Sequence, residues 1–398
     1  MVYEPQEDSL LLKSVAEQFA KGKVLDMGTG TGIQATTASR LEKVKEVIGV
    51  DADKKAIEYC KKKYKKEKIK WIQSDLFTAL KKYRHYFDTI IFNPPYLPQE
   101  QKKRHTDLEG GKKGYETIKR FLYEVNYYLK ENGTILLLFS SHTKKQKIKE
   151  FTEKVLLNHE EIAKKRLFFE ELYVYKLTKS NLLKKLEKRK IERICFLAKG
   201  KRGKVYTGQY KGKKVAIKIK RAESKAKKTI EKEAKWMKFF NKFKIGPKYY
   251  FHTKEFLVYE FIEGTYFKDV IKKGKTSQIK KCLREILRQC YTMDKQEAAK
   301  EEMTRPLKNA IVSKNKIVLI DFERCHKTKN PHNVTQCSDF IYRLSKYRFK
   351  LDRKKFLKSV KEYAENKNKK NFEKIIALLK WTQRKKFMQC AKKSQKEK

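Results

Sequence analysis

From Glu7 to Ala20 the apolar residues Leu10, Leu11, Val15 and Phe19 fall on one helical face, which predicts an amphipathic helix. KVLDM (23–27) is a short apolar run closed by glycines, and reads as a buried strand leading into a helix. VIGVD (47–51), IKWIQ (69–73), TIIF (89–92) and TILLLF (134–139) read as further strands. Helices are expected between them, one through AIEYCKKKY and one over 115–130, where Ile118, Phe121, Leu122, Val125 and Leu129 keep helical spacing. LFFEELYVYKL (167–177) predicts long alternating strands. Strands alternating with helices over 1–178 imply an α/β domain, a mostly parallel sheet covered on both faces and joined by right-handed crossovers.

The pattern changes after KSNLLKKLEKRK (179–190), a basic stretch without turn residues that predicts a helical linker. ICFLAKGKRGKVYTGQYKGKKVAIKIK (194–220) reads strand, glycine turn, strand, turn, strand, which is an antiparallel β unit. A helix over 229–243 and two strands around KYYF and FLVYEF follow. The remainder is predicted mostly helical, except KIVLIDFE (316–323). A small α+β domain of two lobes is therefore expected over 191–345, with a helical, Lys-rich extension over 346–398 that frays after about residue 383.

Composition narrows the class. The formal net charge is +53, with 37% charged residues. Such a charge suits a phosphate-rich partner, RNA or the ribosome. Lys far outnumbers Arg and is spread along the whole chain, so a genomic Lys bias accounts for the charge equally well. The seven cysteines (Cys60, Cys195, Cys282, Cys290, Cys325, Cys337, Cys390) include no C-x-x-C pair, which argues against a disulfide framework and a structural zinc site. The polar, acidic N-terminus is no signal peptide, and no apolar run approaches the roughly 20 residues a membrane helix needs. The expectation is a soluble cytoplasmic protein that makes no membrane contact.

Chemistry in the first half begins at Asp26-Met27-Gly28-Thr29-Gly30-Thr31-Gly32, between a strand and a helix. Glycines there let the backbone approach a ligand, and a helix N-terminus offers free N–H groups. A G-x-G turn alone also suits nicotinamide and nucleotide folds. Asp51, ending the second strand, is placed to accept hydrogen bonds from a ribose diol, and Asp75, after the third, to reach an adenine amino group. This acid–glycine loop–acid–acid order resembles that of the class I methyltransferases that use S-adenosylmethionine (SAM). Asn93-Pro94-Pro95-Tyr96 follows the strand TIIF. An amide or aniline nitrogen is a poor nucleophile because its lone pair is delocalised. The Asn93 side-chain oxygen and the Pro94 carbonyl would accept its two hydrogens, the prolines would hold that carbonyl rigid, and Tyr96 would stack on the planar group.

N-P-P-Y is shared by enzymes acting on glutamine amides and on exocyclic amines of adenine or guanine. The opening V-Y-E-P-Q-E-D-S, and Glu109-Gly110-Gly111-Lys112-Lys113-Gly114-Tyr115-Glu116 after N-P-P-Y, resemble the archaeal and eukaryotic branch of the HemK family of release-factor glutamine methyltransferases. The resemblance covers roughly 1–178. It implies methylation of the glutamine in the Gly-Gly-Gln loop of the class I peptide chain release factor. It places Glu4, Asp8 and residues 93–96 on the substrate side, with Gly28, Asp51 and Asp75 holding SAM. It also implies a small zinc-binding activator subunit as partner, of which this chain contains no obvious equivalent. The other reading of the motif is an adenine-N6 or guanine-N2 methyltransferase acting on RNA or DNA.

In the second half, Gly200-Lys201-Arg202-Gly203-Lys204-Val205-Tyr206 is a glycine turn between strands, and Val215-Ala216-Ile217-Lys218 follows. V-A-I-K matches the kinase strand whose Lys holds the α/β-phosphates. Glu233 is placed to pair with Lys218, FLVYEFIEG stands where an adenine hinge would, and Asp321-Phe322-Glu323 stands where D-F-G should be. Over about 191–345 the chain resembles the small atypical RIO-type kinases and archaeal serine/threonine kinases with D-F-E. The resemblance implies ATP with Mg²⁺, Asp321 and Asn309 being the metal ligands. No H-R-D or H-G-D precedes Asp321. Glu302 would replace the catalytic Asp, although it lies two residues too far from Asn309, and the glycine loop is one glycine short. Phosphoryl transfer, ATP hydrolysis and a nucleotide-gated docking module all stay open.

Overall fold

The alternation of the first half is realised as a seven-stranded sheet of order β3-β2-β1-β4-β5-β7-β6. The computed structural model describes residues 4–96, 114–200, 203–220, 229–314 and 316–379. These fold as two units, Met1–Ala198 with Tyr206–Lys214, and Lys199–Val205 with Val215–Lys398. The first contains α1 (Glu7–Phe19), β1 (Gly22–Met27), α2 (Ile33–Ser39), β2 (Val44–Asp51), α3 (Lys54–Lys63), β3 (Ile69–Gln73), β4 (Phe87–Phe92), α4 (Glu116–Val125), β5 (Leu129–Ser140), α5 (Lys145–Lys154), β6 (Leu157–Arg166), β7 (Glu171–Lys179) and α6 (Asn181–Lys188). β1 to β5 pair in parallel, while β7 runs antiparallel between β5 and β6. Leu12, Val15 and Ala16 of α1 bury against Val24, Ile91, Leu136 and Val174 of the sheet. Strand order reverses between β1 and β4, and such a switch point opens a crevice at the carboxyl ends of the strands.

Three expectations need correction here. The helix over 115–130 stops at Val125, because the carbonyls of Tyr127 and Tyr128 accept from the N–H groups of His85, Tyr86 and Phe87 and draw the chain into β5. Leu167–Glu170 is a turn rather than strand: Arg166 pairs with Glu171, and Leu167 N donates to Glu170 O at 2.8 Å. Its partner β6 was not anticipated because LNHEEIAKKR is nearly all polar, as suits an edge strand blunted by charge. The 179–190 segment is a helix, but it belongs to the first unit. Ser180 caps it by accepting from Leu183 N, Leu183 and Leu186 are buried, and the buried ammonium of Lys179 pairs with Glu187 at 2.8 Å.

Three strands, β8 (Ile191–Lys199), β9 (Gly203–Tyr210) and the one after them, have residues in both units. The second unit continues with β10 (Lys213–Lys220), α7 (Thr229–Asn241), β11 (Tyr249–His252), β12 (Phe256–Glu260), β13 (Thr265–Tyr266), α8 (Phe267–Lys273), α9 (Thr276–Lys295), β14 (Ala298–Lys300), β15 (Ala310–Val312), β16 (Ile317–Leu319), β17 (Cys325–Lys327), α10 (Asn333–Arg348), α11 (Arg353–Glu365) and α12 (Lys369–Leu378). β12 pairs antiparallel with β10 and β11. The expected extension after 345 is instead part of this unit's core. α10 runs through residue 345, Phe356, Phe372 and Ile375 are buried with α9, and the Tyr363 hydroxyl donates to Asp294 Oδ2 at 3.0 Å. The Lys-rich tail, 380–398, lies outside the described residues, as does Cys390. Among the described residues no helix is long and apolar enough to cross a membrane.

Candidate functional site

The glycine loop sits at the carboxyl end of β1, at the switch point. Gly28, Gly30 and Gly32 all have left-handed backbones. Gly32 has no room for anything larger: a Cβ there would lie 2.8 Å from the Tyr64 ring and 3.1 Å from both Cys60 Sγ and Trp71. At Gly30 a Cβ would meet nothing within 4 Å, so the loop's outer face is open to a ligand. Asp51 closes β2 and ties the loop down, its Oδ2 accepting from Gly30 N at 2.9 Å. Asp75 forms an ion pair with Arg120 of α4 at 2.7 Å.

Asp26 opens the loop motif at the end of β1. It is 1% exposed and lies beneath the loop, where its Oδ2 accepts from Thr29 Oγ1 at 2.6 Å and Ala35 N at 3.0 Å. It therefore shapes the loop and the start of α2 rather than reaching a ligand. Burial lifts its carboxyl to about 7, against the hydrogen bonds from Thr29 and Ala35, and nearby Asp51 adds to the rise.

Asn93 and Tyr96 come together on Asp8. Asn93 Nδ2 donates to Asp8 Oδ2 at 2.9 Å, and the Tyr96 hydroxyl donates to the same oxygen at 3.3 Å. Asp8 is buried in the first turn of α1, where the helix dipole favours a carboxylate, and its Oδ1 accepts from Ser9 N at 2.6 Å. Because Asp8 is an acceptor, it fixes which way round the Asn93 amide sits. The Asn93 Oδ1 is left buried with no hydrogen-bond partner among the described residues. A buried acceptor without a partner is costly, so this oxygen is ready for a donor from outside the chain. Pro94 is buried directly after it and Pro95 half-buried. Glu4 is exposed just ahead of α1, and Glu109–Lys113 of the G-G-x-x-G segment lie outside the described residues.

A second cluster lies within the other unit. Lys218 Nζ on β10 is 2.6 Å from Glu233 Oε2 on α7, 3.0 Å from Asp321 Oδ1 and 3.7 Å from Glu323 Oε2. Burial works against the charge of Lys218, but Glu233 and Asp321 outweigh it and hold the ammonium above the ordinary lysine range. Asp321 sits in a left-handed backbone (φ 64°), a strained conformation for a residue with a side chain. Burial alone would raise its carboxyl, yet Lys218 and Lys300 draw it below the ordinary range. The oxygens of Glu233, Asp321 and Glu323 lie within 4.8 Å of one another, so those three carboxylates are grouped as one set of cation donors. Asn309 meets this region through its backbone, its carbonyl accepting from Ile320 N at 2.8 Å. Glu302 is engaged by Lys300 at 3.1 Å and Arg324 at 3.6 Å. Gly203 permits a close backbone approach, since a Cβ there would lie 2.8 Å from Ile219 O. Gly200 N donates to Gly203 O at 2.8 Å across Lys201 and Arg202, which lie outside the described residues.

Sequence reasoning missed Lys300. It is fully buried, and its Nζ bonds Glu302 and the carbonyl of Asp321. In a chain with so many lysines nothing marked it out; its place before Glu301-Glu302, where H-R-D would begin, was the available signal. Glu323 was read as part of D-F-E without a role, and it faces Lys218.

Residues 7–169 match the family model of the methyltransferase small domain. A Methanocaldococcus jannaschii protein, described provisionally as a protein N5-glutamine methyltransferase, is 35% identical over 184 residues, 44% of this chain and 89% of that protein. The release factor glutamine methyltransferase of Shewanella oneidensis is 29% identical over 161 residues, 37% of this chain and 54% of that protein. A tRNA1(Val) (adenine(37)-N6)-methyltransferase of Actinobacillus pleuropneumoniae is 25% identical over 133 residues, 32% of this chain and 56% of that protein. The chain thus spans most of the archaeal relative and about half the length of these bacterial ones. Among solved structures, the E. cuniculi Mtq2–Trm112 complex, which methylates the eRF1 translation termination factor, is similar at 25% identity and TM-score 0.38, over 45% of this chain and 99% of that chain. Through its N-terminal unit the chain belongs to the SAM-dependent methyltransferases of the methyltransferase small domain family, as a homologue of glutamine methyltransferases.

Proposed function

We propose that the N-terminal unit methylates the side-chain nitrogen of a glutamine in a protein, in the Gly-Gly-Gln loop of a class I release factor. The observation that carries this reading is the buried, unpartnered Asn93 Oδ1, left without a donor while the Asn93 NH₂ is held by Asp8. The loop from Gly28 to Gly32, with Asp51 and Asp75 beside it, suits SAM, which when bound supplies an electrophilic methyl on a sulfonium sulfur. Asn93 Oδ1 accepts one N–H of the incoming amide and the Pro94 carbonyl the other. Held this way, the nitrogen lone pair would face the methyl donor, and the two acceptors would stabilise the positive charge that grows on nitrogen as the methyl passes to it from sulfur, which departs as a neutral thioether. Tyr96, anchored by its hydroxyl on Asp8, covers the flat face of the amide. The proton then leaves to water, so no strong base is needed. The resemblance to the HemK family adds a small zinc-binding activator as partner.

A second reading, an exocyclic amine of a nucleic acid, is favoured by the similarity to the tRNA adenine-N6 enzyme and by the +53 charge. Incubation with labelled SAM, release factor and RNA together separates the two: label in protein supports glutamine, and label confined to RNA overturns it.

For the second unit we propose an ATP–Mg²⁺ site of atypical kinase type. The ion pair between half-buried Lys218 and buried Glu233, with Asp321 3.0 Å from Lys218, supports it. Lys218→Ala is expected to abolish stabilisation of the protein by Mg-ATP. Autophosphorylation lost in the same variant, with partner binding kept, supports a kinase. Partner binding lost from a protein that never phosphorylates supports a nucleotide-gated docking module.

A further inference from the structure

We infer that the tip of the β6–β7 hairpin is a docking element for the protein that presents the target amide, an inference that rests on the glutamine reading. In the four-residue tip Leu167 turns inward and packs against the same apolar core as Tyr96. Phe168 and Phe169 turn outward, 92% and 84% exposed, with ring centroids 4.7 Å apart edge to face. The turn is closed by the backbone bond from Leu167 to Glu170, so its geometry requires no aromatic ring. Two adjacent phenylalanines left in water call for a partner.

The tip shares its edge of the sheet with the amide site. Phe92, the residue before Asn93, pairs with Leu137 of β5, and Ser140 at the end of β5 pairs with Leu172, just inside β7. Lys165, next to the tip, forms an ion pair with Glu7, the neighbour of Asp8. The hairpin and the Asp8–Asn93 pair are thus fixed to the same turn of α1. An amide group is too small to orient itself, and contacts on remote parts of its own substrate supply the energy for that. Exposed aromatic anchors serve this purpose at protein interfaces. Two of the three cations that lead into the tip are already engaged, Lys164 with Glu171 and Lys165 with Glu7, and Arg166 beside them is exposed. The tip therefore offers two exposed rings and a single flanking cation rather than a track of free cations, which fits a protein surface better than a phosphate backbone.

The test compares Phe168→Ala/Phe169→Ala with the wild type on the intact release factor and on a short peptide containing Gly-Gly-Gln. The double variant is expected to lose about tenfold or more in kcat/KM on the factor and to match the wild type on the peptide. Unchanged kcat/KM on the factor overturns the docking role while the glutamine reading stands. Equal losses on both substrates also overturn it, since the rings would then support the site's own structure. A wild type that methylates neither substrate, with label in RNA, removes the glutamine reading and the docking role with it.

Discussion

At the scale of single residues, the proposed mechanism turns on one acceptor left unpaired. Asp8 Oδ2 accepts from Asn93 and Tyr96, and so fixes the Asn93 NH₂ on Asp8 and leaves its oxygen as the acceptor that the proposal assigns to the substrate. Asp26 shows the opposite use of a carboxylate, buried to shape a loop. Its pH behaviour follows from that burial. The native state keeps the Asp26 proton up to about 7, whereas the unfolded chain releases it near 3.8. Between those values the native state binds more protons, so this contribution to stability is fully present at the acid end and is lost as pH rises through about 7. Asp26→Asn should flatten the slope. Denaturant midpoints at about pH 5 and about pH 8 should differ for the wild type and converge for the variant. The sequence made Asn93, Asp51 and Lys218 legible because each ends or sits in an apolar strand within a motif. That Asp26 is buried under the loop was not legible, because a motif reports position, not exposure. It missed Lys300 because burial of one lysine among many leaves no local trace.

At the scale of elements, the N-terminal sheet was readable where its strands are buried on both faces. KVLDM, VIGVD, TIIF and TILLLF are apolar runs, and all became strands of the parallel part. β6 escaped because an edge strand with a solvated face carries no such run, and LFF was misread because exposed phenylalanines imitate a buried strand. The glycine loop was legible as a loop, although which glycine is irreplaceable depends on packing with Tyr64, Cys60 and Trp71. Gly32→Ala forces a left-handed backbone and a clash at once, at about 1–2 kcal/mol for the backbone alone. Calorimetry should show SAM affinity reduced by roughly tenfold and a lowered Tm, and unchanged values for both would contradict the role given to Gly32.

At the scale of the whole molecule, two units carry two separate clusters of chemistry on one strongly basic chain. The division came partly from the change of pattern near residue 190, but the fine boundary did not. α6 joins the first unit through Leu183, Leu186 and the Lys179–Glu187 pair, and the last two helices join the core of the second. Such long-range packing has no signature within a short window of sequence. The central claim is that the first unit presents a bare amide acceptor to a protein glutamine. The most direct measurement incubates the full chain with SAM and the class I release factor, with and without a small zinc-binding activator, and locates added methyl groups by mass spectrometry. The account predicts one methyl on the glutamine of Gly-Gly-Gln, with the rate reduced at least about a hundredfold by Asn93→Ala. A factor left unmethylated under both conditions, or a methyl that survives Asn93→Ala undiminished, would contradict it.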